Sequence, residues 1–269
     1  MASDAHVHMG YFPRFDHKDP FYYSPRRILG ILDRAGVDNF IVSSTNAIWD
    51  ATGEAMHREA REMKRLAGNR AHIFFWLTDI YLKNDPDLTK LPVGLYEGVK
   101  LHSVETPWLK MPREFKRVLD IAREMKFNVQ LHTGESGNGD EMIDFLPYCL
   151  KYKDIHFDLA HGSPSSQINE VLSKTDNVWI DTAYVPFDEV MTWIENGADK
   201  EKLMFGSDLP AQQRYCNVSL TYFMRREIEK ISFEDICSLN MLKYLKLYFL
   251  SCICHYKNIE SNSSMKKAK

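Results

Sequence analysis

The sequence predicts an α/β protein: a single (β/α)₈ barrel of the TIM type, regular or distorted, with a helical extension at its C-terminal end. Two observations lead to this prediction. Short apolar segments alternate with amphipathic segments along most of the chain, which is typical of parallel strands joined by helices. The length of 269 residues suits one such barrel, which needs about 250. An open doubly wound sheet is the alternative, but no glycine fingerprint follows the first strand.

Eight segments have the apolar composition of buried strands. They span residues 4–10, 39–43, 71–77, 98–102, 128–132, 155–161, 177–181 and 202–208. Because the segments between them are long enough to cross the sheet, we expect the strands to be parallel and joined by right-handed crossovers. The sequence therefore predicts one continuous barrel domain over residues 1–257.

Amphipathic segments between these strands predict the helices. The first helix begins with Ser24 as its N-cap and Pro25 at its first position, and Gly36 ends it. Further helices are expected over about 52–68, from 112, over 140–151, from 163, over 187–196, through 220–231 and from 233. We expect an aromatic loop over residues 11–23, an irregular connection before the fourth strand, and a disordered polar tail over residues 258–269.

The composition of the chain excludes several classes of function. The net charge of −3 is spread without long blocks, which argues against a nucleic-acid or membrane-surface partner. No apolar run reaches the ~20 residues of a membrane span, and we expect no secretory leader before the first strand. The five cysteines are irregularly spaced, as expected for free thiols in a reducing compartment. We therefore expect a cytoplasmic protein.

A pair of histidines near the start of the chain draws attention to metal binding. His6 and His8 are two residues apart in a predicted strand, so both imidazoles point to the same side. Imidazole is a common ligand of Zn²⁺ and similar ions. The pair therefore provides half of a metal site, although two histidines alone also occur at this spacing by chance.

Other polar residues occupy the same place in the repeating unit, which is the carboxyl end of a strand. They are Lys100, His102, His132, His161, Asp181 and Asp208. In a barrel these strand ends form one rim, and the active sites of this fold lie there. A single histidine at a strand end is more often structural than a ligand, but agreement among several strands favours a shared site.

The combined pattern resembles the amidohydrolase superfamily. The resemblance lies in the histidine pair on the first strand, lysine on the fourth, histidine on the fifth and sixth, and aspartate on the eighth. The segments GVKLHS, QLHTGE, AHGSP and LMFGSDLP look most like its amidohydrolase-related, or amidohydrolase 2, branch. TatD-like nucleases share the histidine pair but carry glutamate on the fourth strand, where this chain has Lys100.

The resemblance implies specific roles for these residues. One or two divalent ions, with zinc as the expected metal, would be bound by His6, His8, His132, His161 and Asp208, with Lys100 as a possible bridging ligand. Proteins of this family hydrolyse amides, lactones or esters, and relatives in the same branch decarboxylate aromatic or unsaturated acids.

The chemistry of the residues leads to a similar hypothesis. A divalent ion lowers the pKa of a bound water toward ~7, and Asp208 could both bind the ion and accept the proton of the attacking water. His132 and His161 would hold a second ion or polarise the substrate oxygen. Lys100 has two readings: a carbamate that bridges two ions, or an ordinary ammonium paired with Asp208 or Asp181 beside a single ion.

Three hypotheses about function follow. The first is a metal-dependent hydrolase that acts on a small amide, ester or lactone, with Asp208 and His161 as catalytic residues. The second is a non-oxidative, metal-dependent decarboxylase of a small aromatic or unsaturated carboxylic acid. The third is a metal-binding barrel without catalysis.

Residues around the mouth are candidates for contacting a small-molecule substrate. They are His102, Arg14, Trp108 and Tyr184. Aromatic side chains there could form an apolar wall, and Arg14 could pair with a carboxylate. The alternative is that the loop aromatics cover the barrel or form a subunit contact in a homo-oligomer. Asp181 could anchor a ligand histidine or begin a solvated loop, and Asp4 is expected to be structural.

Overall fold

The computed structural model describes residues 2–12, 21–84, 87–92, 94–134, 139–211, 241 and 245. Nine strands lie in these ranges: β1 (Ser3–Phe12), β2 (Phe21–Tyr23), β3 (Asn39–Ser44), β4 (Ala71–Leu77), β5 (Gly98–Leu101), β6 (Asn128–His132), β7 (Phe157–Ala160), β8 (Val178–Asp181) and β9 (Leu203–Met204). The α-helices in the same ranges are α1 (Pro25–Ala35), α2 (Glu54–Ala67), α3 (Asp79–Asn84), α4 (Pro112–Glu124), α5 (Met142–Lys151), α6 (Ile168–Lys174) and α7 (Phe187–Glu195). The helices predicted beyond residue 211 and the polar tail lie outside the described residues.

Eight parallel strands form a sheet that closes on itself. They pair in the order β1, β3, β4, β5, β6, β7, β8 and β9. Two hydrogen bonds join β1 to the segment after β9: the N–H of Ala5 donates to the carbonyl oxygen of Phe205 (2.7 Å), and that of His8 donates to Leu209 (2.6 Å). This ring of strands with helices outside it confirms the prediction of a distorted (β/α)₈ barrel.

Side chains on the strands alternate between the outside of the barrel and its interior. The outward apolar side chains pack under the helices in the main core. Inside the barrel, at the amino ends of the strands, lies a second apolar group that we call the lower cluster: Ala5, Ile41, Phe74, Trp179, Met204, Met241 and Leu245. Packing there is tight, because a Cβ on Gly98 would lie 2.6 Å from the carbonyl oxygen of Asn128 and 2.7 Å from the ring of Phe74. The close approach of backbones explains glycine at that position.

The segment after the histidine pair is a hairpin, where the sequence predicts a loop. β1 continues to Phe12 and pairs antiparallel with β2, with Tyr11 opposite Tyr22. The ring centroids of Tyr11 and Tyr22 are 4.8 Å apart, and cross-strand aromatic pairs of this kind stabilise a two-stranded ribbon. Aromatic residues on both faces hide the period of two, so the sequence pattern does not predict this strand.

Two other elements differ from prediction. The connection expected to be irregular contains α3 directly after β4. β9 has two residues, although a strand over 202–208 is predicted. The chain leaves regular strand geometry after Met204 because it turns to pair with β1, and Asp208 adopts a φ of 51°.

Helix ends follow the sequence signals more closely. The Ser24 hydroxyl caps α1 by accepting a hydrogen bond from the N–H of Arg27 (3.3 Å), Pro25 is its first residue, and Gly36 ends it with a φ of 70°. Helices also form near the predicted starts at residues 52, 112, 140, 163 and 187. Within the described ranges, no helix has the length and apolar character that crossing a bilayer requires.

Candidate metal centre

β1 places two histidines on the inner face of the barrel, toward the carboxyl ends of the strands. The Nε2 atoms of His6 and His8 are 3.0 Å apart, and both side chains are buried. Oδ1 of Asp208, from the segment after β9, lies 3.2 Å from Nε2 of His8 and 3.8 Å from Nε2 of His6. The histidine pair and the predicted aspartate therefore meet at one point, which we call the ligand point.

Two histidines are oriented by hydrogen bonds from their other ring nitrogen. Nδ1–H of His6 donates to Oδ2 of Asp181 (2.7 Å), and Nδ1–H of His161 donates to the carbonyl oxygen of Ala183 (2.9 Å). A carboxylate or carbonyl oxygen only accepts, so Nδ1 carries the proton in both rings and Nε2 keeps its lone pair. Partners of this kind fix the tautomer and direction of histidines that bind metals.

The donor atoms at the ligand point fit a divalent metal ion. Nδ1 of His8 is bonded to the hydroxyl of Ser43 (2.9 Å), and its Nε2 faces that of His6. Two nitrogen atoms about 2.0–2.1 Å from a tetrahedral Zn²⁺ lie about 3.3 Å apart, which is close to the observed separation. Two imidazoles and one carboxylate from Asp208 are a donor set that zinc accepts.

The two remaining predicted histidine ligands extend the same cluster. His132 ends β6 and His161 directly follows β7, and Nε2 of His161 lies 3.0 Å from Nδ1 of His132. The ring centroids of His6 and His161 are 4.9 Å apart. The structure thus brings all four histidines of the predicted ligand set together. Their roles as ligands stay a prediction.

His102 belongs to a stack of rings beside these histidines. Its ring lies 3.8 Å from that of His132 at 20° and 5.2 Å from that of Trp76 at 10°, between centroids. Burial lowers the pKa of His102 well below its usual value, so the ring is neutral. Its Nδ1 is buried and has no hydrogen-bond partner in the described part of the chain. The predicted substrate contact of His102 stays a prediction.

Lys100 reaches the ligand point from β5. Its side chain has no solvent exposure, and Nζ lies 3.2 Å from Nε2 of His6. Burial lowers the pKa of Lys100 to about 8, although the carboxylates around it raise it. Among the described residues, no carboxylate lies within ion-pair distance of Nζ. The charges of Asp181 and Asp208 still act on Lys100, so the ammonium and the carbamate both stay predictions.

The electrostatics of the site favour the protonation states in which metals are bound. Burial lowers the pKa of His6 to about 3, and the charge of Lys100 lowers it further. Burial alone would raise the pKa of Asp208, but the hydrogen bond with His8 and the nearby imidazoles hold it well below its usual range. At neutral pH the site therefore presents neutral imidazoles and an ionised carboxylate.

The backbone is in an uncommon conformation at two of these positions. His161 has a φ of 74° and Asp208 a φ of 51°, in the left-handed region that L-residues rarely adopt. His161 directly follows β7, and Asp208 lies in the segment that pairs with β1, where its N–H donates to the carbonyl oxygen of His6 (2.8 Å). Strained backbone of this kind is held in place by its surroundings and concentrates at functional sites.

The predicted substrate contacts around the mouth have different outcomes. Trp108 lies in the main core with no solvent exposure, 6.2 Å from the ring of Phe115 on α4, because a short helical turn over residues 108–110 directs the indole inward. Its predicted contact with a substrate stays a prediction. Tyr184 follows β8 and is 52% exposed, so it is at the carboxyl end as predicted. Arg14 lies outside the described residues.

Two acidic residues at the site act through the backbone or through another side chain. Asp4 is structural, as expected: Oδ1 accepts hydrogen bonds from the N–H groups of His6 (3.1 Å) and Ser207 (2.9 Å). Asp181 is hydrogen-bonded to His6, as expected for a residue that anchors a histidine, and it is fully buried and not part of a solvated loop.

Sequence reasoning missed the polar residues one level below the ligand point. These are Ser43, Gln130 and Asp158, all buried inside the barrel. Gln130 and Asp158 each stand alone between apolar neighbours, as Asp158 does between Phe157 and Leu159. A period of two that places Gln130 on the same face as His132 was the available signal.

No family model and no curated protein matches the sequence. Solved structures do match. A probable 2-pyrone-4,6-dicarboxylic acid hydrolase from Acinetobacter baumannii, with citric acid bound, superposes with a TM-score of 0.65 at 14% identity, over 91% of this chain and 99% of that one. The chain has the fold of the amidohydrolases.

Two further structures with the amidohydrolase fold are similar. An amidohydrolase from Burkholderia multivorans with bound zinc gives a TM-score of 0.64 at 11% identity, over 92% of this chain and 99% of that one. A 5-carboxyvanillate decarboxylase from Sphingomonas paucimobilis gives 0.61 at 13% identity, over 91% and 98%. The amidohydrolase fold thus extends across nearly all of this chain, in agreement with the resemblance seen in its motifs.

Proposed function

We propose that this chain is a metal-dependent hydrolase that activates water to cleave a small amide, ester or lactone. The observation that carries the proposal is the convergence of Nε2 of His6, Nε2 of His8 and Oδ1 of Asp208 within 4.8 Å of one another. Hydrogen bonds on the far side of each imidazole point these atoms toward one another. A site that only stabilised the fold would not need the Nε2 lone pair of His6 and a carboxylate oxygen of Asp208 to face the same buried point.

The chain's own residues divide the chemistry between them. His6, His8 and Asp208 would hold a divalent ion, which when bound acts as a Lewis acid and lowers the pKa of water. Asp208, which is ionised, would accept the proton of the attacking water. His161 and His132 would hold a second ion or polarise the substrate oxygen.

Lys100 decides between one ion and two. Its lowered pKa of about 8 leaves a sizeable neutral fraction near neutral pH, which is the form that takes up CO₂ to give a carbamate. We propose a bridging carbamate at Lys100 with two ions. Mass spectrometry of the intact protein under non-acidic conditions should show an addition of about 44 Da that Lys100→Met lacks. Absence of this addition in a protein loaded with one ion would favour the mononuclear form.

The names of the structural neighbours support both the main function and its alternative. One neighbour is a probable pyrone hydrolase, another binds zinc, and a third is a decarboxylase. We therefore retain non-oxidative decarboxylation of a small aromatic or unsaturated acid as the second candidate. A cytoplasmic location is part of the proposal, and the buried free thiol of Cys149 suits a reducing compartment.

The deciding experiment measures metal content and turnover on the same protein. The purified chain is analysed for bound metals and then assayed against a panel of lactones, amides, esters and aromatic acids. We expect zinc in the wild-type protein, a sharp loss of zinc in His8→Ala and Asp208→Ala, and release of product with uptake of water. Release of CO₂ without consumption of water would instead support the decarboxylase.

His57→Ala is a suitable control for these variants. His57 is half-buried on α2, and its Nδ1 is bonded to the hydroxyl of Tyr96 (2.6 Å). This variant should keep its full metal content. Retention of a full complement of zinc by His8→Ala and Asp208→Ala would refute the assignment of the ligands.

A further inference from the structure

A network of buried polar side chains lies under the ligand point, on the inner faces of three neighbouring strands. Gln130 is on β6, Asp158 on β7 and Asp181 on β8, and none of the three is more than 1% exposed. Polar groups without contact to water cost free energy unless they are fully hydrogen-bonded. Each polar atom of this network is therefore expected to have a hydrogen-bond partner inside the barrel.

Asp181 is the centre of the network. Oδ2 accepts the hydrogen bond from Nδ1–H of His6 (2.7 Å), while Oδ1 accepts from the N–H groups of His161 (3.2 Å) and Ala183 (2.9 Å). The carbonyl oxygen of Ala183 in turn accepts from Nδ1–H of His161. One carboxylate thus fixes the ring of His6 together with the backbone that carries His161.

Asp158 holds the backbone of Asp181 from below, and Gln130 lies against its carboxylate. Oδ1 of Asp158 accepts from the N–H of Asp181 (3.1 Å), and its Oδ2 accepts from Nε2 of Gln130 (2.8 Å). The same amide donates to the carbonyl oxygen of Ala5 (3.0 Å), directly before His6, and lies 3.4 Å from Oδ2 of Asp181. The pair therefore connects the strand that carries His6 to the strand that carries Asp181.

Two carboxyl groups side by side in a dry interior are costly for stability. Burial, followed by the charge of Asp181, raises the pKa of Asp158 well above its usual value. Apolar residues of similar size are often equally stable or more stable at buried positions of this kind. Asp158 interrupts an otherwise apolar strand, so its presence points to a task other than stability.

We propose that Asp158 and Gln130 are positioning residues, which hold the carboxylate of Asp181 so that His6 and His161 present Nε2 to a metal ion. The inference rests on the proposed metal-dependent function. Neither residue touches the ligand point. Partners of ligand histidines change metal affinity by about 10–100-fold when they are removed. Because Asp158 and Gln130 act through Asp181, we expect the lower end of that range.

The test is a zinc titration of the full-length apoprotein in competition with a chromophoric chelator. Asp158→Ala and Gln130→Met should each bind zinc about tenfold more weakly than the wild-type protein. The double variant should lose little more than the stronger single variant, because both residues act through one carboxylate. The proposal is overturned if both single variants bind zinc as tightly as the wild type.

Asn177→Ala separates positioning from stability. Asn177 immediately precedes β8, the strand of Asp181, and its buried amide donates to the carbonyl oxygens of Cys149, Tyr152 and Ile155. Removing these bonds should lower the free energy of unfolding and leave zinc affinity unchanged. Equal losses of affinity in Asn177→Ala and Asp158→Ala would show a merely structural effect and overturn the proposal.

A second measurement needs no metal. In protein labelled with ¹⁵N-histidine, Nδ1–H of His6 should give a protected, downfield proton signal because it donates to a buried carboxylate. That signal should be weakened or exchange-broadened in Gln130→Met and intact in Asn177→Ala. An unchanged signal in Gln130→Met contradicts the positioning role. A wild-type protein that keeps this signal but binds no zinc contradicts the proposed function instead, and with it the metal part of this inference.

Discussion

The two ends of the barrel interior are built from the same strands and differ in chemistry. At the amino ends, Phe74 and Trp179 belong to the lower cluster, which is apolar. Two residues further along the same strands, Trp76 lies beside the histidines and Asp181 bonds to His6. Both strands therefore pass from an apolar to a polar environment within one repeat of the pleat.

This contrast separates stability from function along each strand. Burying aromatic and aliphatic side chains at the lower end favours folding. Burying histidines, a lysine and carboxylates at the other end costs free energy unless each group is paired. At the ligand point, atoms that could bind a metal ion face one another. The position of the polar end at the carboxyl ends of the strands agrees with the general location of active sites in this fold.

The largest effect is expected at the polar end, where Asp208→Asn should sharply reduce turnover. The amide keeps the shape of the carboxylate but cannot accept the proton from water, and it is a poorer ligand. We expect kcat to fall by about 10²–10⁴-fold on whichever substrate the panel identifies. The free energy of unfolding should change much less. Wild-type turnover in Asp208→Asn would place the catalytic base elsewhere.

The next effect is expected at the apolar end and should be on stability alone. Phe74→Ala removes a fully buried ring from the lower cluster and should cost about 3–5 kcal/mol in the free energy of unfolding, measured by urea denaturation. Zinc stoichiometry of the folded protein should be unchanged. A loss of zinc before the loss of structure would show that the two ends are coupled.

The smallest effect concerns an ion pair at the amino end of β5. Nδ1 of His72 (2.6 Å) and Nζ of Lys64 (2.7 Å) lie against the carboxylate of Glu97. Burial alone would raise the pKa of Glu97, but these partners lower it below the unfolded value of 4.5. The ionised Glu97 carboxylate therefore stabilises the folded protein above pH 4.5, and this stabilisation is lost as the pH falls through the lower pKa of the folded state.

Glu97→Gln tests this sign. Because the carboxylate is 33% exposed, we expect the variant to be less stable by no more than about 1 kcal/mol at neutral pH. The difference in the free energy of unfolding should shrink below pH 4.5, where the wild-type carboxyl begins to be protonated in the unfolded state. If the difference in the free energy of unfolding between wild type and Glu97→Gln grew in acid, the pKa of Glu97 would be raised by folding and not lowered.

Most of the fold could be predicted because its signals are local. Pro25 and Gly36 mark the ends of α1, and apolar runs mark the parallel strands. The hairpin of β1 and β2 could not be predicted in this way, since its stability comes from rings that meet across strands, such as Tyr11 and Tyr22. Trp108 shows the same limit: its position after β5 in the sequence does not reveal that its ring lies in the main core near Phe115 of α4.

The candidate site was predictable to the extent that its residues recur at strand ends. The convergence of His6, His132, His161 and Asp208 follows from the closed ring of strands, so the position of each of these residues could be inferred from its place in the repeat. Asp158 and Gln130 carry no such mark. Their partners are set by the register between neighbouring strands, which a single sequence does not contain.

The hydrogen bonds between β1 and the segment after β9 connect assembly of the fold to assembly of the site. Asp4 and Ser207 are 203 positions apart and joined by a hydrogen bond. β1 can therefore pair with this segment only after almost the whole barrel has been synthesised. His6 and Asp208 meet only in that final contact. An ion held by both would bind the completed ring and not its precursors, so added zinc should raise the melting temperature in proportion to the logarithm of its concentration.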